Sequence, residues 1–396
     1  KRQHLVSATE RARFALQKKM PGLALTIHAA SSWTVDAKAL KACVDDIARA
    51  DIVVSMMLFM EDHFLPVIEA LRARRLECDA MVCAMSAGEI VTLTRMGSFD
   101  MGKPATGLMA LLKRLRGNKE KAQTGGAAQM RMLRRLPKIL KFIPGSAQDV
   151  RAYFLTLQYW LGGSEENMYH MVRSLINRYA QGERAVLRSQ EKSVEPLIYP
   201  ETGIYHPRLK GRMSEELRDL PKLVSDQKSR GRVGLLLLRS YILAGNTLHY
   251  DSVIAAMEAQ GLQVVPIFAV GLDARPAIDA FLMNRDECAV DAVVSLTGFS
   301  LVGGPAYNDA KAAEEVLSKM DVPYLAAHPL EFQTLSDWGK SDQGLMPVEN
   351  TLMIAIPELD GATNPMIFGG RAGAAGVACT GCHKACTFEV NTNAHD

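Results

Sequence analysis

Three apolar runs between Val290 and Arg371, each giving way to polar, turn-forming residues, constrain this chain more than any other feature. The first, Val290 to Val294, breaks into Ser295-Leu296-Thr297-Gly298-Phe299, and Gly303-Gly304-Pro305 follow before a helical pattern begins after Asn308-Asp309. The second, Pro323 to Ala327, delivers His328-Pro329 and Glu331. The third, Leu352 to Ile356, delivers Pro357-Glu358-Leu359-Asp360-Gly361. Short β-branched runs of this kind read as buried strands. In open parallel sheets ligands gather outside the carboxyl ends of the strands, so the polar clusters are expected to share one rim.

The same alternation of strand and helix occurs upstream. Leu23–His28, Asp51–Leu58 and Cys78–Met85 read as strands, separated by helical spacing over Asp36–Arg49 (with Asp36 as N-cap) and Phe64–Arg75. A basic lead-in helix, Glu10–Lys19, precedes them. A second series starts at Arg232–Arg239, with Val233–Leu238 as its first strand, followed by a helix after Asn246, strand Val264–Val270 and helix Pro276–Met283. The expected fold class is α/β: two doubly wound parallel-sheet units joined by a basic, largely helical connector. At 396 residues the chain exceeds a single core. The expected boundaries are an N-terminal α/β domain over 1–105, a helical connector over 106–195, a second α/β domain over 196–378 and a Cys-rich segment over 379–396.

The connector carries local charge that the net +3 conceals. From Lys103 to Lys141 there are eleven basic residues and one acid, Glu120, with Gly125-Gly126 dividing two helical patterns. This is either a solvated face or a docking surface for an acidic partner or anionic ligand. No aromatics are interleaved, which argues against single-stranded nucleic acid, and no nucleic-acid partner is expected. Tyr153, Phe154, Tyr159 and Trp160, on the helical stretch Ala147–Tyr179, read as core. Tyr199–Pro207 reads as a structured connector. No apolar run approaches the ~20 residues of a transmembrane segment, and no signal-peptide core is seen at the N-terminus. Seven cysteines make no disulfide framework, so a reducing, cytoplasmic setting is expected. Asn391–Asp396 end without a closing element, as in a piece of a larger polypeptide.

Several segments together resemble the large, porphyrin-binding subunits of the magnesium chelatase/cobaltochelatase family, of the bacteriochlorophyll type. In the first half of the chain they are Met57-Leu58-Phe59-Met60-Glu61-Asp62-His63, Met85-Ser86-Ala87-Gly88-Glu89-Ile90 and Leu157-Gln158-Tyr159-Trp160-Leu161-Gly162-Gly163-Ser164. In the second half they are Thr202-Gly203-Ile204-Tyr205-His206-Pro207, Val293 to Phe299, Pro357 to Ala362 and Phe368-Gly369-Gly370-Arg371. The resemblance covers nearly the whole chain, which looks like the family's N-terminal part. It implies insertion of Mg²⁺ into protoporphyrin IX, with ATP hydrolysed on separate AAA+ ATPase partner subunits. The alternatives are a non-catalytic tetrapyrrole- or metal-binding scaffold or sensor, and a cobaltochelatase large subunit.

Metal insertion needs a base for two pyrrole protons and oxygen ligands that let Mg²⁺ shed water. Glu358 and Asp360 are the first candidates; the other reading is a turn in which Asp360 bonds its own backbone. Glu331 and His328 are expected on the same rim, as chemistry or as an ion pair, and His249 as a base, cap or core histidine. Arg371, Glu61 and His63 are candidate porphyrin contacts. Cys379, Cys382 and Cys386 have the C-x₂-C-x₃-C spacing of 4Fe-4S ligation, with Zn²⁺ second and free thiols as the other reading. Trp338-Gly339-Lys340-Ser341 ends like a phosphate-binding loop, but Thr334 stands where the leading glycine is required, so no nucleotide site is expected on this chain. Gly370 to Gly376 has glycine spacing but reads as a loop.

Overall fold

The computed structural model describes residues 3–30, 33, 36–103, 135–189, 194–223, 229–304, 307–371 and 388–390. Most of the basic stretch and the whole cysteine triplet lie outside the described residues. The chain divides into two compact units, Ala8–Ile198 and Tyr199–Asp396, the latter with Lys1–Ser7.

In the first unit helix α1 (Gln3–Lys19) precedes α2 (Ala37–Arg49), β1 (Ile52–Met56), α3 (Glu61–Arg74) and β2 (Ala80–Ala84). Asp36 caps α2 as expected, accepting from Lys38 N at 2.9 Å and Ala39 N at 3.2 Å. Strands β1 and β2 pair in parallel, Ile52 opposite Ala80 through Met56 opposite Ala84. The sheet is not doubly wound. It is completed by an antiparallel hairpin, β3 (Arg95–Met96) and β4 (Phe99–Asp100), in the order β1-β2-β3-β4. Leu23–His28 is not a strand but a segment outside the sheet, tied down by His28 Nε2 to Asp46 Oδ2 at 2.8 Å.

Residues expected to stand apart as a connector pack into this same unit from Ala147 onward. Helix α4 (Ala147–Gly162) ends at Gly163, whose φ of 60° only a glycine adopts without strain. Ser164 then caps α5 (Glu165–Tyr179), accepting from Asn167 N at 3.1 Å. Tyr153 and Tyr159 are core, as their spacing predicts. On the opposite flank Leu16 and Met20 of α1 pack with Ile176 and Ala180. One buried carboxylate ties three elements together. Asp149 accepts from Ser98 N (2.9 Å) and Oγ (2.8 Å) in the β3–β4 turn, from Arg178 Nη2 (2.7 Å) and from Tyr179 OH (3.0 Å).

The second unit contains an eight-stranded sheet. Its strands are β5 (Thr202–Tyr205), β6 (Met213–Ser214), β7 (Gly231–Leu238), β8 (Leu262–Ala269), β9 (Ala292–Ser295), β10 (Tyr324–Thr334), β11 (Thr363–Arg371) and β12 (Phe388–Val390), in the order β12-β11-β10-β9-β7-β8-β5-β6. The five central strands, β11 to β8, are parallel; β5, β6 and β12 add antiparallel edges. Tyr199–Pro207 is thus more than a connector, because Thr202–Tyr205 is a strand of this sheet. Helices α6 (Arg239–Leu243), α7 (Leu248–Ala259), α8 (Arg275–Phe281) and α9 (Ala310–Met320) connect the strands. Alternate residues of β7 feed separate cores: Leu236 joins Phe281 of α8 and Ala313 of α9, while Leu235 and Leu237 join Tyr250 and Ile254 of α7.

Two expectations fail here. The apolar run Leu352–Ile356 is helical: Pro347–Glu349, a π-helical segment Asn350–Ala355 and Ile356–Asp360 form one continuous helical run. Five successive apolar residues carry no period, and Pro347 opens the run at a first-turn position where a helix tolerates proline. The strand comes later, at β11, whose Gly369 and Gly370 pair with Pro329 and Leu330 rather than forming a loop. The second apolar run also does not end before His328, since β10 continues to Thr334.

Burial alone would raise the Asp149 carboxyl, but the bonds from Arg178, Ser98 and Tyr179 outweigh it and hold it below the usual carboxylate range. Removing the charge would leave Arg178 half-paired, so Asp149→Ala is expected to destabilise the first unit by about 3 kcal/mol. The native contribution is present above the unfolded carboxylate pKa and lost as pH falls through the lowered folded value. Urea denaturation at pH 7 and pH 3 checks this: the mutant deficit shrinks at the lower pH.

Candidate functional site

The order β8-β7-β9-β10-β11 sets where a ligand site forms. The chain leaves β7 towards β8 and then returns to β9 on the opposite side, so the connections diverge above the carboxyl ends of β7 and β9. The polar cluster after the first apolar run sits there as expected. Leu296 N bonds Leu236 O at 2.9 Å, continuing the ladder past Ser295. Ser295 Oγ and Thr297 Oγ1 are 3.0 Å apart, and Thr297 Oγ1 accepts from Phe299 N at 3.4 Å. Leu238, Ala269, Asp273, Ser295, Thr297 and Ser300 line a cleft of about 30 Å³. That volume holds about one water molecule. A ligand the size of a tetrapyrrole needs several hundred Å³.

Of the expected candidates, His328 and Pro329 do lie beside this loop, since β10 continues past Ala326, the partner of Ser295, and a Cβ on Gly298 would stand 4.0 Å from Pro329; the described histidine rings, however, are buried. His249 lies in the first turn of α7 with no exposed surface, ringed by Tyr250 at 4.0 Å, Tyr241 at 5.3 Å and Phe368, nearly parallel, at 6.0 Å. It is a core histidine, and burial pushes its pKa down to about 3. Tyr250 fixes α7 to the end of β7 by accepting from Leu238 N at 3.2 Å. His328 lies within β10 opposite Ile367, 1% exposed, and burial pushes it down to about 4. Neither of its ring nitrogens has a hydrogen-bond partner among the described residues.

Glu358 and Asp360 are parted by the helix that replaces the expected strand. Residues two apart on a helix do not face each other, and Glu358 is exposed while Asp360 is 2% exposed. Asp360 does not bond its own backbone; its Oδ2 accepts from Leu301 N at 2.7 Å, fastening the loop after β9. Burial raises the Asp360 pKa. Asp360 and Gly361 precede β11, and Asp360 shares a shallow cleft with Asp321, Tyr324 and Thr363 at the amino ends of β10 and β11. The polar end of the third run therefore precedes a strand instead of following one, and its buried carboxylate meets the first run's loop at Leu301.

The backbones of Glu331 and Arg371 lie in β10 and β11; their side chains lie outside the described residues, as do Cys379, Cys382 and Cys386. Glu61 and His63 belong to the first unit, in the opening turn of α3, where Glu61 and Asp62 favour the helix dipole. Burial lowers the His63 pKa. The cysteines that are described in this unit are inert, since burial pushes Cys43 up to about 11 and Cys83 to about 12. In the segment Trp338–Ser341, Trp338 and Gly339 end a short helix, Leu335–Gly339, whose start is an ordinary capping box, Thr334 with Asp337.

Sequence reasoning passed over two buried polar groups of the second unit. Glu349 has no exposed surface and accepts from Gln333 N at 3.3 Å; nothing in Pro347-Val348-Glu349-Asn350 signals this. His206, also fully buried, accepts from Arg208 N at its Nδ1 (3.1 Å), so its Nε2 carries the proton that it donates to Glu258 at 3.2 Å. Its neighbour Tyr205 donates to Asp251 at 2.5 Å. Both residues fix α7 to β5, and the proline-punctuated motif around them was the available signal.

A family model described as CobN/Magnesium Chelatase matches residues 157–390, and one for a domain of unknown function, DUF3479, matches residues 2–154. The chain is 53% identical over 371 residues to the magnesium-chelatase H subunit of Cereibacter sphaeroides, covering 94% of this chain and 30% of that protein. Against its counterpart in Rhodobacter capsulatus it is 47% identical over 395 residues, 99% of this chain and 32% of the relative. Against the chloroplastic ChlH protein of Oryza sativa, also a magnesium-chelatase subunit, it is 36% identical over 353 residues, 85% of this chain and 25% of the relative. The chain thus spans less than a third of the length of these relatives.

With its pKa near 3, His249 is expected to stay neutral through the physiological range. An unfolded histidine takes up a proton near pH 6.5, so the stability that His249 and His328 leave intact above that pH is lost as pH falls towards 4. Imidazole NMR titration checks this, with no His249 transition expected above pH 5; a midpoint near 6.5 would show a solvent-open ring.

Proposed function

The chain belongs to the CobN/magnesium chelatase family, and from that membership we propose that it is the N-terminal part of the porphyrin-binding subunit of an ATP-dependent magnesium chelatase. One observation carries the reading. Identity to the large subunits of bacterial magnesium chelatases runs through both units rather than through a single shared motif. On this reading protoporphyrin IX and Mg²⁺ are the substrates, in bacteriochlorophyll synthesis, and ATP is hydrolysed on separate AAA+ partner subunits in the cytoplasm. The second unit then serves as a doubly wound support, its strand order β8-β7-β9-β10-β11 leaving the loops after β7 and β9 free to meet ligand. The cleft there is too small to enclose a porphyrin by itself.

The chemistry assigned to this chain is the handling of protons and of a hard, strongly hydrated cation. Oxygen ligands suit Mg²⁺, and a carboxylate with solvent access can exchange its waters one at a time. Of the candidates whose side chains are described, Glu358 is the exposed carboxylate of the second unit, and we assign it that role. Asp360 acts as its anchor through Leu301 N. In the full-length subunit, Glu358→Gln is expected to lower the chelation rate at least tenfold with porphyrin binding and thermal stability unchanged. Asp360→Asn, by contrast, should shift stability. A stable Glu358→Gln protein with parental chelation kinetics would reduce Glu358 to a helix-end residue.

On spacing alone, we extend the reading to Cys379, Cys382 and Cys386 as ligands of a 4Fe-4S cluster, with Zn²⁺ second. Crowded thiolates repel unless a cation neutralises them. Anaerobically purified protein is expected to carry iron and sulfide that Cys382→Ser removes. Absence of both iron and zinc, with all three thiols alkylated in the native protein, would contradict this.

A further inference from the structure

The first unit carries an apolar and basic protrusion that neither the fold nor the chelatase reading uses. Residues 135–140 form a short helix followed by a turn. Leu136 and Leu140 anchor it in the core, 8% and 1% exposed. The side chains between and after them point outward: Ile139 is 60% exposed, Phe142 83% and Ile143 40%. Burying one such side chain stabilises a fold by about 1.5–3 kcal/mol. Here that contribution is forgone three times in succession.

The exposure is built into a fixed turn. Gln148 Nε2 lies within hydrogen-bond distance of the carbonyls of Leu140 (2.7 Å), Lys141 (3.3 Å) and Ile143 (2.5 Å), so its two N–H groups tie down the end of the helix and the turn that follows. Arg151 Nε donates to Pro137 O at 3.0 Å, and Phe142 N and Ile143 N bond back to Ile139 O and Leu140 O. With the backbone held at these points, Phe142 has no inward path.

Around the apolar tip stand Arg135, Lys138 and Lys141, all exposed. The one acid the structure places against Lys141 is Glu195, at 4.0 Å, and Arg151 shares it at 3.3 Å. The sequence leading into the tip is equally one-sided, with eleven basic residues to one acid over 103–141. A cationic surface with protruding aromatic and aliphatic side chains is complementary to an anionic lipid interface: the rings enter the headgroup region and the cations meet the phosphates. An acidic peptide would engage the cations but leave Phe142, 83% exposed, without a reason to protrude.

We propose that the 135–143 tip is a membrane-contact site that binds anionic phospholipid surfaces peripherally, Phe142 and Ile139 entering the interface and Arg135, Lys138 and Lys141 pairing with headgroups. The contact is reversible, because three cations and two or three apolar side chains fall well short of a spanning anchor.

Co-sedimentation of the full chain with vesicles tests this, using phosphatidylcholine alone and phosphatidylcholine mixed with phosphatidylglycerol, at low and high salt. The expected result is binding to the mixed vesicles only, weakened by salt. Each of Lys138→Gln and Lys141→Gln is expected to lower affinity about fivefold, the equivalent of about 1 kcal/mol per cation. Phe142→Ser should lower it further, and emission of the Phe142→Trp variant should shift to the blue on mixed vesicles. No sedimentation with mixed vesicles would overturn the proposal. So would binding that all of these variants leave unchanged, which would move the contact elsewhere on the chain. Displacement by soluble polyglutamate, with no blue shift from the Phe142→Trp variant, would assign the surface to an acidic protein instead.

Discussion

Strand β7 is bonded to β8 on one side and β9 on the other, and its residues from Val233 to Leu238 are buried on both faces. The rest of the second unit depends on that double burial. Leu235, Leu236 and Leu237 supply apolar surface alternately to two cores, so helices must cover both faces. Gly234 marks how tightly they pack: a Cβ there would come within 2.7 Å of Leu282. With both faces covered, the loops beyond the strand ends become the surfaces left for chemistry. The Ser295–Leu301 segment is one of them, and it is held by its own hydroxyls and by Asp360 rather than by secondary structure.

Much of this was legible because period and length agreed. β7, β8 and β9 are unbroken apolar runs bounded by polar residues, and α2, α7 and α9 follow recognisable helix starts. The reading failed where one signal stood alone. Leu352–Ile356 is apolar without period, and only the first-turn Pro347 hinted at helix. β11 was hidden by Gly369-Gly370, residues that weaken a strand on propensity but are tolerated beside the close backbone of Leu330. In the first unit, β1 and β2 alone cannot reveal that an antiparallel hairpin will complete their sheet.

The site was less legible than the fold, for a geometrical reason. Chain order says which residues follow a strand only if the strand itself is placed correctly. Reading a helix as a strand placed Glu358 and Asp360 after a strand, whereas they precede β11. It also paired two side chains that a helix separates. His249 and His328 have the chemistry of bases, yet both rings are buried, and charging either would put an ion into an apolar core. Residue type alone shows none of this.

The central claim is that this chain does the work of the corresponding third of a magnesium-chelatase large subunit. A chimera in which the matching part of the Cereibacter sphaeroides protein is replaced by this chain tests it, assayed with that system's ATPase partners, Mg²⁺ and protoporphyrin IX. The account predicts ATP-dependent formation of magnesium protoporphyrin within about tenfold of the parental rate, since 1.4 kcal/mol corresponds to a factor of ten. A folded chimera that binds porphyrin and the partners but inserts no magnesium would contradict it.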